Sequence, residues 1–494
     1  MTRLTDFALP PVGGRLPRIA FVVFNDTYHD TRVLKIAETA AQAGAEVRIF
    51  AAATRRIGFG PGIEAHPGGF EIERMALFSM GKFLISGGNL VRRVLGRPVP
   101  EYYDPRLATA GPAATSVAPL APAPDDGPAA PVAGADSAAA APAPESPAAQ
   151  PSRSAKATLI GFLNRFNNFF VALSFKRAVA QRVPAWGPDL LHGHDAEVLS
   201  AIGPVAARLH VPFIYDSHEL WTKRNKKRTL FMRLTEGASE RRWSRRAARA
   251  VTVSPSIARW LKEHYRLREL PELVRNIPPL DRTPPTREQG RLRALAGLDA
   301  ESKVVVYCGG ITFNRGIEAG IEATAFLPAD THFVLLGHGA AQFVASLREL
   351  ARARGVSGRV HFVPSVPSSE VSTTLADADV SLVLTRPTCL SYEYSLPNKL
   401  FESIHAGVPV LATRLVDAAA LVEEHHVGET VAVDADAREL AARIEETISR
   451  TDEYREAAAH AAFALAWNHE ADRLVEVWAR ALGVTAVERK DHAA

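Results

Sequence analysis

Short apolar runs alternate with stretches of helical periodicity along most of this chain, and this alternation constrains the fold more than any other feature. Residues 19–24 (IAFVVF) form a continuous apolar run, which is the pattern of a strand buried on both faces of a parallel sheet. Residues 31–44 then place apolar side chains at helical spacing and end at a glycine, and residues 47–52 form a second apolar run. This order predicts a strand–helix–strand unit.

The same alternation recurs in both halves of the 494-residue chain, which is too long for a single core. Further short runs lie at residues 190–191, 212–215, 251–253, 304–308, 333–336, 360–363, 380–384 and 408–412. Four prolines between residues 276 and 285 indicate a hinge. We therefore expect an α/β protein with two Rossmann-like, doubly wound lobes facing a cleft, one over residues 1–280 and one over residues 281–465.

One segment of the first half has a different composition. Of the 40 residues from 111 to 150, 25 are alanine or proline and none is aromatic. Such a segment buries too little surface to offset its ordering entropy. We interpret residues 108–155 as a flexible insertion in the first lobe. A linker between domains is the less favoured alternative, because the pattern before it is too short to close a domain.

Charge and cysteine content narrow the protein class. The net charge of +4 is too small a surplus to indicate nucleic-acid binding. Two cysteines are too few for a disulfide scaffold or a cysteine-built zinc site. The chain has no apolar stretch of about 18 residues and its start does not resemble a signal peptide, so we expect a cytoplasmic protein.

Polar side chains follow the predicted strands, where ligands bind in doubly wound sheets. In the first half these residues are Asn25, Asp26, His29, Asp30 and Arg32, then His192, Gly193, His194 and Asp195, then Asp216, Ser217, His218 and Glu219. His192 and His194 would point the same way in a strand, but a third zinc ligand is not evident there. A structural role for His192 is the favoured interpretation.

In the second half, the glycine turn at residues 307–310 (YCGG) leads to Arg315 near the start of a helix. A helix N-terminus with one arginine can bind an anion, although a tight turn with a solvated arginine is the alternative. Residues 392–413 (YEYSLPNKLFESIHAGVPVLAT) place Asn398 as a helix cap, with Lys399 and Glu402 in the first turns. Such a lysine and carboxylate can hold a diphosphate and the hydroxyl pair of a ribose.

These motifs resemble those of the family 4 glycosyltransferases. The matching stretches are FNDTYHDTRVLKIAETAAQAGAEV, LHGHDAEVL, YDSHELW, VTVSPSIARWL, YCGGITFNRGIE, LLGHG and LPNKLFESIHAGVPVLAT. The resemblance implies the two-lobed glycosyltransferase-B (GT-B) fold and retaining transfer of a sugar from a nucleotide diphosphate sugar to an acceptor hydroxyl, with no cofactor or metal. It also implies that residues 466–494 form a helix that crosses back to the first lobe, followed by a tail.

The resemblance assigns expected roles to individual positions. The expected catalytic residues are Arg315, Lys399 and His194. The expected donor-binding residues are Glu402, Glu393, Asn398, Gly309 and Gly310, and the expected acceptor-side residues are Asp30, Arg32 and His218. Two positions depart from the family pattern. Tyr394 stands where many members carry a first glutamate, so either Glu393 or backbone amides would contact the sugar. Gly310 stands where many members carry an arginine, and Lys399 would compensate for the missing positive charge.

Basic and aromatic residues are mixed at residues 158–182 and 221–249. Such segments either lie on an anionic membrane surface or pack on the first lobe. The implied acceptor is a glycan or a lipid-linked molecule. A sugar-nucleotide epimerase of the same fold and a non-catalytic nucleotide-sugar-binding subunit are the alternatives.

Overall fold

The computed structural model describes residues 3–27, 30–53, 59–78, 155–225, 230–280 and 283–489. Within these ranges, side chains are described from Asn167 in one helix and from Met232 in another. Apart from Ala155, the predicted insertion at residues 108–155 lies outside the described residues. No helix in the described part of the chain is both long enough and apolar enough to cross a bilayer.

The first lobe is built on an eight-stranded sheet in the order β4-β5-β3-β2-β6-β7-β8-β9. The strands are β2 (Arg18–Val22), β3 (Glu46–Ala52), β4 (Gly62–His66), β5 (Phe70–Met75), β6 (Leu190–His194), β7 (Phe213–Ser217), β8 (Arg249–Thr252) and β9 (Glu272–Leu273). Every neighbouring pair is parallel except β4 and β5, which form an antiparallel hairpin. The sequence did not predict this hairpin, because β4 is mostly exposed and has no apolar pattern.

Five helices belong to this half of the chain. They are α1 (Thr31–Gln42), α2 (Ala155–Trp186), α3 (Ala196–Leu209), α4 (Leu230–Ser244) and α5 (Pro255–Tyr265). The carboxylate of Asp30 caps α1 by accepting the N–H of Val33, and the hydroxyl of Ser254 caps α5. Gly203 in α3 allows the ring of Trp243 in α4 to approach, since a Cβ at Gly203 would lie 2.2 Å from that ring.

The second lobe is built on a six-stranded sheet that is parallel throughout, in the order β12-β11-β10-β13-β14-β15. Its strands are β10 (Lys303–Cys308), β11 (Thr331–Leu336), β12 (Val360–Val363), β13 (Val380–Val383), β14 (Val410–Thr413) and β15 (Gly428–Val431). Its helices are α6 (Leu292–Ala296), α7 (Ile317–Thr324), α8 (Ala341–Ala353), α9 (Val371–Leu375), α10 (Leu390–Glu393), α11 (Asn398–His405), α12 (Val416–His425), α13 (Ala437–Ser449) and α14 (Thr451–Ala464).

The last helix, α15 (Trp467–Leu482), packs on the first lobe. Trp467, Leu474 and Trp478 are fully buried in the same core as β2, β3 and α1. The indole N–H of Trp467 donates to Thr39 Oγ1 of α1 at 3.0 Å. Beyond α15, β16 (Val487–Glu488) pairs antiparallel with β1 (Phe7–Ala8). The last helix therefore completes the core of the lobe with which the chain begins.

A half-buried lysine joins the first lobe to the hinge. Lys35 Nζ, on α1, donates to Asn276 Oδ1 at 3.2 Å and to the carbonyl of Ile277, and it lies 4.0 Å from the ring centroid of Trp467. One side chain thus contacts both segments by which the chain passes between lobes. The predicted α/β fold with two doubly wound lobes is confirmed.

Candidate functional site

A cleft of about 560 Å³ lies between the two lobes at the carboxyl ends of their strands. This is the place where open α/β sheets bind ligands. From the first lobe it is lined by Asp195, His218, Glu219, Val253 and Ile257. From the second lobe it is lined by Tyr307, Cys308, Gly309, Gly310, Thr312, Arg315, Ser391, Tyr392, Ser395, Leu396, Pro397, Asn398, Lys399 and Glu402.

Two cations in the second lobe line this cleft without a counter-ion. Arg315 immediately precedes the Gly316 turn into α7, and Lys399 lies in the first turn of α11. Among the described residues, neither side chain has a carboxylate within ion-pair distance; Arg315 lies over the ring of Tyr392 at 5.2 Å and Lys399 over that of Tyr307 at 3.7 Å. Two unpaired cations on one cavity wall form a site for an anion.

The turn that positions Arg315 requires glycine. Gly316 has φ of +69°, and a Cβ there would lie 2.4 Å from Leu384 Cβ. Only glycine combines that backbone conformation with so close an approach. The start of α7, with its free N–H groups, is therefore fixed beside the guanidinium.

Glu402 lies one turn after Lys399 on α11. The thiol of Cys308, at the end of β10, donates to Glu402 Oε2 at 3.9 Å. Burial raises the pKa of Glu402 and raises that of Cys308 to about 12, so the thiol stays protonated at neutral pH. Burial, together with the charge of Arg315, lowers the pKa of Lys399 to about 7. A bound anion would reverse this shift.

On the first-lobe side, His218 lies between two carboxylates. Its Nε2 is 3.2 Å from Asp216 Oδ2 and its Nδ1 is 3.7 Å from Asp195 Oδ2. Burial lowers the pKa of His218, but the two carboxylates outweigh this effect and raise it to about 9. At neutral pH this side chain is therefore a cation and not a general base.

Asp216 itself is held by an ion pair beneath the cleft. Its two oxygens accept from Arg32 at 2.8 and 3.2 Å, and Arg32 also donates to the carbonyl of Val274 at 2.9 Å. The side chains of Arg32 and Asp216 are 3% and 0% exposed. Despite burial, Arg32 and then His218 hold the pKa of Asp216 well below its usual range.

A second cavity, of about 490 Å³, adjoins the first. It is lined by Asn25, Asp26, Asp30, Thr31, Arg32, His218, Val253, Asn276, Leu396 and Asn398. Four of these residues also line the larger cleft: His218, Val253, Leu396 and Asn398. The two cavities therefore meet beside the His218 imidazolium.

The structure brings most of the predicted site residues to these two cavities. Arg315, Lys399, Glu402, Gly309 and Gly310 line the larger one, Asp30 and Arg32 line the smaller one, and His218 and Asn398 line both. His194 and Glu393 line neither. His194 is 1% exposed and stacks on Phe21 and His192 inside the first lobe. Asp195 and Glu219 line the larger cleft although the resemblance assigned them no role.

His192, His194 and Asp216 have potential metal-ligand atoms within 4.8 Å of one another. Each already has another partner: the indole N–H of Trp478 donates to His192 Nδ1 at 3.0 Å, His194 Nδ1 lies 3.1 Å from His218 Nε2, and Arg32 pairs with Asp216. A fixed guanidinium beside a cation site is unfavourable. The contacts of this group are those of a hydrogen-bonded core cluster, as favoured for His192.

Direct contacts join the lobes at one side of the larger cleft. Ser254 Oγ donates to the carbonyl of Tyr394 at 2.6 Å, and the N–H and hydroxyl of Ser256 donate to Asp417 at 3.0 and 2.8 Å. Tyr394 also packs against the first-lobe hydrophobic cluster that includes Trp260. The tyrosine at the position of the expected glutamate is therefore part of the contact between lobes.

Comparisons with known proteins define the class of this protein. Residues 302–450 match the family described as Glycosyl transferases group 1, and residues 133–280 match Glycosyltransferase Family 4. The fold is that of the GT-B glycosyltransferases, and both halves of the chain match glycosyltransferase family models. The resemblance found in the sequence motifs is confirmed: the first-lobe match is to the family 4 model and the second-lobe match is to the group 1 model.

Solved structures share this fold at low sequence identity. Sucrose-phosphate synthase from Thermosynechococcus elongatus is 17% identical with a TM-score of 0.63, over 94% of this chain and 99% of that one. A glycosyltransferase from Rickettsia africae is 12% identical with a TM-score of 0.58, over the same shares. HepE of Anabaena in complex with UDP-glucose is 14% identical with a TM-score of 0.57, again over 94% and 99%. No curated protein sequence is significantly similar to the chain.

Proposed function

We propose that this protein transfers a sugar from a nucleotide diphosphate sugar to an acceptor hydroxyl with retention of the anomeric configuration, in the synthesis of a polysaccharide, a glycolipid or a cell-envelope glycan. The observation that carries the proposal is the pair of unpaired cations, Arg315 and Lys399, on a cleft that also contains Glu402. A diphosphate supplies the missing negative charge, and the buried carboxylate suits a ribose hydroxyl pair. HepE, which shares the fold, is solved with UDP-glucose.

The chemistry needs no general base from the protein. The bond between the anomeric carbon and the diphosphate breaks, the acceptor oxygen bonds to that carbon on the same face, and the acceptor proton passes to the leaving phosphate. Charge builds on the diphosphate as its bond breaks, so Arg315, Lys399 and the N-terminus of α7 stabilise the transition state. We propose that the reaction uses no metal and no cofactor.

The acceptor is expected in the smaller cavity, because that cavity opens onto the junction at His218. Asp30, in its wall, accepts from the amide of Asn25 at 2.8 Å and caps α1. An acceptor hydroxyl there would reach the anomeric carbon beside the His218 imidazolium. This charge favours departure of the anionic leaving group.

The affinity for the donor should depend on pH through Lys399. The pKa of this ammonium is about 7 in the free protein, and two negative phosphates beside it would raise that pKa. Binding above the free pKa must therefore take up a proton. We expect the Kd for UDP-glucose to be lowest below about pH 7 and to rise by up to about tenfold per pH unit above it, until the pKa of the complex is reached.

Calorimetry at several pH values, in buffers of different ionisation enthalpy, measures both the Kd and the proton uptake. The variant Lys399→Met should bind more weakly at low pH and lose the pH dependence. A wild-type Kd that stays constant between about pH 6 and pH 9 would contradict this assignment.

We propose that the protein acts in the cytoplasm and attaches to the inner face of the membrane. The support is an exposed basic surface at the end of α4 and the turn after it, formed by Arg241, Arg242, Arg245 and Arg246. None of these arginines forms an ion pair with a residue that the structure describes. Leu234, earlier on α4, is 64% exposed. Basic residues beside exposed apolar ones favour anionic lipid.

Replacing Arg241, Arg242, Arg245 and Arg246 by glutamine should weaken co-sedimentation with phosphatidylglycerol vesicles by tenfold or more, because each cation near such a surface contributes about 1 kcal/mol. Wild-type binding should disappear in moderate salt. The control replaces the exposed second-lobe residues Arg348, Arg352, Arg354 and Arg438. Equal loss in both variants, or no wild-type binding at low salt, would exclude the surface.

The epimerase alternative retains one supporting observation, which is that Asp195 and Glu219 add carboxylates to the cleft. An epimerase would use such groups as acid and base on the sugar. Incubation of UDP-glucose with the protein and no acceptor distinguishes the two activities. We expect only slow hydrolysis that releases the α-anomer of glucose; conversion to an epimeric sugar nucleotide would support the alternative.

A further inference from the structure

Three carboxylates line the larger cleft, and two of them come from the first lobe. Glu402 lies on the same helix as Lys399, whereas Asp195 and Glu219 face the second lobe from across the cleft. A sugar attached to a diphosphate at Arg315 and Lys399 must extend away from those cations. The first-lobe carboxylates are therefore candidates to contact the sugar.

Asp195 has two features that are typical of a ligand-binding residue. Its backbone has φ of 65° and ψ of 161°, a region that non-glycine residues rarely adopt. Its Oδ1 is buried and accepts no hydrogen bond from any residue that the structure describes. A buried carboxylate oxygen without a donor is unfavourable, so a hydroxyl supplied by a ligand would satisfy it.

Glu219 is held in place by its neighbours. Its Oε1 accepts from Arg224 at 2.7 Å, and that guanidinium stacks on the ring of Trp221, 3.3 Å from its centroid. The other carboxylate oxygen, Oε2, has no hydrogen-bond donor within the described ranges. The next residue, Leu220, donates its N–H to Ser391 Oγ of the second lobe at 3.2 Å. This contact fixes Glu219 against the segment formed by α10 and the loop that joins it to α11.

That segment provides no carboxylate of its own to the cleft. Glu393 is not among the lining residues, and Tyr394 packs against the first lobe. The position at which the family resemblance predicts a sugar-binding glutamate is thus used for contact between the lobes. The carboxylates that can contact the sugar are therefore those of the first lobe.

We propose that Asp195 and Glu219 accept hydrogen bonds from hydroxyl groups of the transferred sugar and thereby determine which sugar is used. This inference rests on the proposed function. A carboxylate aimed at a hydroxyl rejects an analogue that lacks it, because a buried acceptor is then left unpaired. The specificity for the sugar would therefore lie in the first lobe, and the nucleotide would be bound by the second.

The test compares the affinity for a nucleotide with that for its sugar conjugate. The probes are UDP and UDP-glucose, GDP and GDP-mannose, ADP and ADP-glucose, and dTDP and dTDP-glucose, and the pair that binds the wild type most tightly is used. Asp195→Asn and Glu219→Gln should each weaken the binding of the sugar conjugate by about tenfold to a hundredfold. They should weaken the binding of the nucleotide by less than about twofold. Deoxy forms of the conjugate should identify the hydroxyl that each carboxylate contacts. The form that lacks this hydroxyl should bind the wild type and the variant with equal affinity.

Two further variants complete the comparison. Glu393→Gln tests the second-lobe loop and should produce no selective loss of the conjugate. Glu269→Gln, at a side chain 63% exposed on the first lobe, is the matched control. Equal weakening of nucleotide and conjugate would show a merely structural role and overturn the inference, as would a selective loss in Glu393→Gln alone. If no probe binds the wild type, the proposed function fails and this inference fails with it.

Discussion

Replacing Arg315 by alanine is expected to lower kcat by on the order of a hundredfold or more. This guanidinium lies on the cleft beside the start of α7 and has no carboxylate partner among the described residues. A preorganised cation that meets charge developing in the transition state contributes about 2.7–4 kcal/mol. Because that charge is larger in the transition state than in the bound donor, kcat should fall more than KM rises.

The measurement is steady-state release of the nucleoside diphosphate from the sugar nucleotide, over a range of donor concentrations. Arg352→Ala is the control, because Arg352 is 61% exposed on α8 and pairs with Glu349 on the same helix. Its turnover should match that of the wild type. Near-normal kcat in Arg315→Ala would remove the residue from the catalytic machinery.

The variant Arg32→Met should lower the free energy of unfolding of the first lobe by about 3–5 kcal/mol at neutral pH, because it leaves a buried carboxylate without its counter-ion. The pair is 3% and 0% exposed, and Asp216 is within 3.2 Å of both His194 and His218. Urea unfolding followed by tryptophan fluorescence measures the change. Arg354→Met is the control and should cost at most about 1 kcal/mol, since the side chains of the ion pair between Arg354 and Glu322 are 50% and 34% exposed.

The pH dependence of the stability loss in Arg32→Met provides a second test of the ion pair. Arg32 holds the pKa of Asp216 well below its usual range. A lowered carboxylate pKa stabilises the fold above the pKa of the unfolded chain, and this stability is lost as the pH falls through the folded pKa. In Arg32→Met the pKa of Asp216 rises, so the two proteins should differ less in stability as the pH falls. A difference that stays constant with pH would argue against the ion pair as its cause.

The second-lobe side of the cleft could be predicted from the sequence because its parts are local. Arg315 lies two residues before the start of one helix, and Lys399 and Glu402 lie within one turn of another. Helical spacing fixes such neighbours without knowledge of the rest of the fold. The fold class was predictable for a similar reason, since buried parallel strands are continuous apolar runs.

The first-lobe side was harder to predict, because distances across a cleft are not encoded in local spacing. His192 and His194 share one face of β6, and that face packs on Phe21 and Trp478 inside the lobe. His194 therefore lies in the core, and His218, just after β7, lines both cavities. Their positions just after β6 and β7 placed Asp195 and Glu219 among the candidate residues, although the resemblance assigned them no role.

The contacts between lobes explain the departure at Tyr394. The sequence motif suggested a lost sugar contact, and the structure shows that the ring and carbonyl of Tyr394 contact the first lobe instead. Ser254 donates to that carbonyl, and no periodicity relates the two residues, which are 140 positions apart. A contact of this kind can be found only from the fold.

The most direct test of the account is thermal stabilisation of the wild type and of Glu402→Ala by UDP, GDP, ADP and dTDP, and then by their sugar conjugates. A ligand at a hundred times its Kd adds about 2.7 kcal/mol to the stability of the protein it binds. The account predicts that one nucleotide and its conjugates raise the Tm of the wild type, and that Glu402→Ala loses this shift. No shift with any nucleotide, or the same shift in both proteins, would contradict the assignment of this cleft as the donor site.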